Sequence, residues 1–141
     1  MSSRWFDVLI LLNRVSLGWY VMNAGWEKVQ GELARGAGAF LRGDSFDRRS
    51  AILPEVLAVP LGYAWPWLEL SCGLLLIVGL FARVTAAVAA WLLSSIAIAL
   101  IFSGDEFLPR HYLMVFVPLA LLLWLVGPGR YSLDRVRRRR S

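Results

Sequence analysis

The chain has one cysteine, Cys72, and one histidine, His111. A single cysteine excludes an intramolecular disulfide and a CxxC redox pair. A single histidine excludes bis-histidine haem ligation within one chain. Charge is also scarce: 18% of the 141 residues are Asp, Glu, Lys or Arg, against roughly 25% in a globular domain. A cleavable signal is not expected. The apolar run from Val8 is broken by Asn13 and Arg14, and no small-residue cleavage site follows. Nothing resembles a phosphate loop, a zinc site, a flavin motif or a nucleophile elbow. No metal and no intrinsic cofactor are therefore expected, and electron transfer by this chain alone is not.

What the chain has in abundance is apolar length. Hydrophobic residues make up 58% and the mean hydropathy is +0.60, the composition of an integral membrane protein of one domain. The net charge of +5 belongs to the tail, because Arg135, Arg137, Arg138, Arg139 and Arg140 account for all of it. Such a tail beside an apolar span reads as a cytoplasmic topology determinant that attracts anionic lipid, not as a nucleic-acid site.

Four apolar segments predict an all-α four-transmembrane-helix bundle over residues 1–141, with spans at about 5–29, 57–82, 84–103 and 110–126 and a basic tail at 135–141. A hydrocarbon core of ~30 Å takes ~20 helical residues, and lipid leaves the backbone only helices or closed barrels. The positive-inside rule places both termini in the cytoplasm of a bacterial inner membrane. The loop from Gly31 to Glu55 carries Leu33, Phe40, Leu41, Phe46, Ile52 and Leu53 among charges, which predicts an interfacial or re-entrant segment. Only Phe81 to Val84 joins the second and third spans, so those two form a tight antiparallel pair. Small residues along the third span, among them Ala86, Ala89, Ala90 and Ala97, suit close packing in lipid.

One acidic residue, Glu69, lies inside the second span, where an unpaired charge is costly. Arg14 lies about 14 Å from the cytoplasmic end of the first span and Glu69 about 18 Å from the same side, whereas Lys28 would be about 34 Å up. An Arg14–Glu69 pair is the leading expectation. Arg14, Gly18, Val21, Gly25 and Lys28 share one helical face, and Gly62, Trp65, Glu69, Cys72, Gly73 and Leu76 share another. Asn13, Asn23 and Lys28 are candidate members of an intramembrane polar site with Arg14 and Glu69. Trp26, Trp65, Trp67 and Cys72 are candidates to line a ligand. Pro66 frees the Gly62 carbonyl beside the carboxylate. Two alternatives stay open: the ion pair only fixes helix register, or the helix begins at Pro66 and Glu69 lies in its first turn. His111 opens the fourth span as an interfacial residue, and Cys72 reads as a small packing residue.

The chain closes with Gly127-Pro128-Gly129-Arg130-Tyr131-Ser132-Leu133-Asp134. Pro128-Gly129 suits a type II turn, Ser132 a cap of a short final helix, and Tyr131 a headgroup-level position.

These features together resemble the DoxX/DoxD family of small four-helix membrane proteins. Arg14 through Lys28 is similar to the family's arginine–glycine–lysine first helix. Trp67-Leu68-Glu69-Leu70-Ser71-Cys72-Gly73 with Gly79-Leu80-Phe81-Ala82-Arg83 is similar to its "WLEL-x-GG…G-L-x-T-R" segment. Gly127, Gly129, Arg130, Tyr131 and Asp134 fall in its C-terminal signature. Cys72 and Ala82 stand where the family often has glycine and threonine. The resemblance implies a small membrane subunit or partner of a quinone-linked oxidoreductase, similar to a thiosulfate:quinone oxidoreductase subunit, with quinone as a possible ligand and a redox subunit or a second copy as a partner. The alternatives are a carrier of lipid or a small hydrophobic molecule, and a non-catalytic anchor for a soluble partner.

Overall fold

The computed structural model describes residues 3–43, 54–102, 108–127 and 129–138. Among these the chain is all-helical. Helix α1 is Ser3–Arg35, α2 is Glu55–Val78 and α3 is Ala82–Phe102. A last apolar segment consists of α4 (Leu108–His111), a π-helical turn (Tyr112–Phe116) and α5 (Val117–Val126), and the short α6 (Leu133–Arg138) follows.

The boundaries differ from the expected spans for local reasons. Helix α1 continues to Arg35, taking in Gly31, Glu32 and Leu33, and stops where Gly36 adopts φ 89°, a conformation that costs a glycine nothing. Helix α2 starts at Glu55 and runs through both Pro60 and Pro66, so Glu69 is not in a first turn. Its end is a Schellman motif. Gly79 at φ 73° donates to the Leu76 carbonyl and Leu80 donates to that of Leu75. The connection to α3 is therefore Gly79–Phe81, earlier than the Phe81–Val84 expected. In the last segment Pro118 lacks the N–H that an α-helix would use, and Val117 donates five residues back to Tyr112.

Helices α1 and α2 pack on each other most extensively, α3 packs on α2 and on α5, and α1 also touches α5. The core joins Leu17 and Val21 of α1, Cys72 and Leu76 of α2, the alanines Ala86, Ala89 and Ala90 of α3, and Ala120 and Leu123 of α5. The outer surface is also apolar: Leu9, Leu12, Trp19, Leu74, Ile98, Ile101, Met114, Leu122 and Leu125 are all exposed. A monomeric soluble protein does not display such a girdle. Glu55–Val78 and Ala82–Ile101 are each long and apolar enough to cross a membrane, and Tyr112–Val126 is a shorter apolar stretch. Of the expected α1–α2 connecting segment, residues 36–43 are turns, while Phe46, Ile52 and Leu53 lie outside the described residues.

Candidate functional site

Glycine sets how near α1 and α2 come. A methyl group at Gly25 would meet the backbone of Leu70 and Glu69, and one at Gly73 would meet Met22 and the carbonyl of Gly18. At this distance side chains from either helix reach the other's backbone, so each polar group on the shared face must find its partner there.

The carboxylate of Glu69 is 1% exposed. Its Oε2 accepts from the ammonium of Lys28, and its Oε1 accepts from the indole Nε1 of Trp65 at 2.7 Å, one turn earlier on the same helix. Lys28 donates again to the Ala24 carbonyl at 3.1 Å, and its ammonium lies 5.8 Å from the centre of the Phe40 ring. Trp65 in turn packs against Trp91 of α3, ring centres 5.7 Å apart. The result is an ion pair with a buried carboxylate and a half-buried ammonium, set beside aromatic rings. It lies about 15 Å along α2 from the Gly79 turn and about 21 Å from Glu55.

The partner of Glu69 is thus Lys28 and not Arg14. Counting from Trp5 and Phe81 took those two residues as level. The glycine contacts set a different register, with Gly25 beside Glu69 and Leu70, and Gly18 beside Gly73 and Ile77. Arg14 then falls level with Gly79, the residue that ends α2, and the stretch Ser3–Asn13 runs past that end. Its neighbours there are the C-terminal residues: Ile10 lies against Gly129, and the Arg130 N–H donates to Asp7 Oδ1 at 3.2 Å.

Arg14 is 2% exposed, and its Nη2 donates to the Tyr131 carbonyl at 2.6 Å. It lies against Gly79 at the C-terminal end of α2, where the helix dipole favours a cation. The matching anion is Asp134. Its two carboxylate oxygens accept from the N–H groups of Phe81 and Ala82, each at 2.8 Å, and its own N–H donates to the Gly79 carbonyl at 3.2 Å. Asp134 therefore caps the N-terminus of α3 and secures Phe81, which has φ 50°, a costly conformation for a bulky residue. The C-terminal signature is a clasp across the α2–α3 turn. Ser132 does not cap α6: its hydroxyl donates to the Gly129 carbonyl at 3.2 Å. Gly127, at φ 91°, lies beside the Arg83 side chain, and Tyr131 is exposed. Pro128 is outside the described residues.

The other candidates scatter. Asn13 donates to the Leu119 carbonyl of α5 at 3.4 Å, and Asn23 donates to the Trp19 carbonyl of its own helix. Trp26 and Trp67 face outward. Cys72 is buried, its thiol donating to the Thr85 carbonyl at 3.4 Å. The candidates brought together are Lys28, Glu69 and Trp65. Phe40 joins them unforeseen, as does a tyrosine pair: Tyr20 donates to the Tyr112 hydroxyl at 2.8 Å and stacks on Phe116 at 4.3 Å. Glu32, read as a loop charge, is buried and accepts from the N–H groups of Gly38 at 2.5 Å and Phe40 at 2.7 Å. The glycine-rich stretch after it, with N–H groups no helix uses, was the available signal. Asp134 gave none, because the amide it caps lies 53 residues away in sequence. Among the described residues, no three of His, Cys, Asp and Glu come together as a metal site.

The DoxX family model matches residues 9–103. The match takes in Lys28, Trp65 and Glu69 and ends before the C-terminal clasp. Comparison with curated proteins and with solved structures gives no match. The family and the two long apolar helices identify a membrane protein, of a family linked to oxidoreductase systems. The chain belongs to the DoxX family.

Proposed function

We propose that the protein is a small membrane subunit of a quinone-linked oxidoreductase system, and that the Lys28–Glu69 pair with Trp65 is its quinone head-group site. The observation that carries this reading is the placement of an ion pair well inside an apolar helix pair, walled by Trp65 and Phe40. Such groups in membrane helices mark ligand or proton sites. The donor set fits the head group. Two N–H donors of Lys28 go to Glu69 and Ala24, leaving a third for a carbonyl oxygen. Trp65 fixes the carboxylate, and a position over the ammonium that already takes the flat Phe40 ring suits a flat head group. The quinone supplies two-electron, two-proton redox capacity when bound, and electrons come from a partner redox protein. Lys28 holds the carbonyl, while Glu69 accepts or returns a proton at Oε2.

The same reading takes α1, α2, α3 and the Leu108–Val126 segment as four membrane crossings in the bacterial inner membrane, with both termini cytoplasmic. Arg4, Arg83, Arg130 and Arg135 on that side, and anionic lipid at the tail, support it. Reporter fusions after Arg140 and within 44–50 test the orientation. The site itself is tested by extracting bound quinone from the purified protein and measuring binding of a short-chain ubiquinone by calorimetry. Binding that Glu69→Gln and Lys28→Met each abolish supports the site, and wild-type protein that neither retains nor binds quinone rejects it.

A further inference from the structure

The turn after α1 is built as a unit. Ala39 donates to the Gly36 carbonyl, Arg42 to that of Gly38 and Gly43 to that of Phe40, at 3.0–3.2 Å. Glycine stands at both ends. Gly36, at φ 89°, has open space where a side chain would be, so nothing packs on that end of the unit. Its inner face is turned to the helices. Ala39 is buried, and Gly38 lies against the Tyr63 ring of α2 so closely that a methyl group would meet the phenol oxygen at 2.9 Å. The Phe40 ring stands over the Lys28 ammonium. One carboxylate, Glu32, holds the N–H groups of both Gly38 and Phe40 and so fastens the turn over the site. It sits one turn beyond Lys28 on the same helix, so latch and site share one rigid element.

We propose that the Gly36–Gly43 turn is a lid on the Lys28–Glu69 site, latched by Glu32, and that Phe40 holds the place of the ligand's ring. This rests on the quinone reading and extends it: the ligand enters from the loop end of α1 and α2 by displacing Phe40 from the ammonium. The exchange is chemically reasonable. At 5.8 Å the ring is at the limit of a cation–π contact, whereas a carbonyl oxygen makes a charge-assisted hydrogen bond to the same ammonium. A ring with a carbonyl beside it replaces both the apolar wall and the weak contact. An aliphatic ligand replaces only the first.

The test uses the full chain in nanodiscs of phosphatidylethanolamine and phosphatidylglycerol, with a short-chain ubiquinone as the probe. Calorimetry measures binding to wild type, Glu32→Gln and Phe40→Ala, and hydrogen exchange reads the amides of Gly38 and Phe40. Without quinone both amides are protected in wild type and exchange faster in Glu32→Gln. Saturating quinone speeds their exchange in wild type. Either variant binds quinone about tenfold tighter, because apparent affinity no longer carries the cost of lifting the lid. If Glu32→Gln does not fold, Phe40→Ala still makes the comparison. Quinone that binds wild type while the two amides stay protected overturns the lid and leaves the quinone site standing. Failure of wild type and both variants to bind overturns both.

Discussion

The ammonium of Lys28 meets the carboxylate of Glu69 across the α1–α2 interface, with Gly25 as the point of closest approach between the two backbones. The Glu69 side chain is 2% exposed and that of Lys28 17%, so the carboxylate above all has no water to fall back on. Removing one partner leaves an uncompensated charge, a loss of about 3–5 kcal/mol, whereas removing both leaves little penalty. Glu69→Gln and Lys28→Met should each lower thermal stability in detergent markedly, and the double variant should recover most of the loss. Additive losses in that cycle would show that the pair contributes nothing as a pair.

Three glycines of α1 and α2, two at their interface and one away from it, make a graded series. A methyl group at Gly25 or Gly73 meets backbone, which cannot rotate away, while at Gly31 it meets only the end of the Arg35 side chain. Gly25→Ala and Gly73→Ala should cost about 1–3 kcal/mol or more by forcing the helices apart. Gly31→Ala should be neutral or stabilising by up to about 1 kcal/mol, since alanine is the better helix former. Melting curves of the three variants decide this. Equal losses at all three positions would count against a glycine-set approach.

The face of each helix was legible because burial follows spacing: Arg14, Gly18, Val21 and Gly25 on α1, and Gly62, Trp65, Glu69, Cys72, Gly73 and Leu76 on α2, are all buried. The register between the faces was not. Depth counted from apolar ends assumes that helices start level, and α1 violates this because its first turns pack on the C-terminal segment instead of on α2. That single offset moves the partner of Glu69 from Arg14 to Lys28. The glycine positions held the missing information, since Gly18 and Gly25 against Gly73 admit few registers. The Glu32 latch and the Asp134 cap were illegible for another reason. Both are carboxylates satisfied by backbone N–H groups of turns, and no side-chain pattern announces such a partner.

The clasp at the other end of the bundle answers to Asp134. Its carboxylate accepts from two backbone N–H groups at the start of α3, and loss of a cap of this kind costs about 0.5–2 kcal/mol. Asp134→Ala should loosen the C-terminal segment before it loosens the bundle. Trypsin cleavage after Arg130 and Arg135 should become faster, as expected of a locally opened segment. Asp134→Asn, with one acceptor oxygen in place of two, should fall between. Unchanged cleavage in Asp134→Ala would mean that the segment is held by Arg14 and Asp7 without its cap.

Cys72 separates opening of the lid from opening of the bundle. Its thiol is 4% exposed and donates to the Thr85 carbonyl across the α2–α3 contact, so N-ethylmaleimide should leave the folded protein unlabelled and react once detergent denatures it. Labelling of the native protein then reports excursions in which α2 and α3 part. Gly73→Ala lies next to the cysteine and forces α1 and α2 apart, so it should speed labelling by an order of magnitude or more, about 1.4 kcal/mol of local stability for each tenfold. Phe40→Ala trims a ring that stands over Lys28 at the edge of the core and leaves Gly73 and Thr85 as they are, so it should leave the labelling rate where it is. Fast labelling in Phe40→Ala would mean that the turn holds the helix bundle together, and that tighter quinone binding in that variant reflects a loosened core and not a lifted lid.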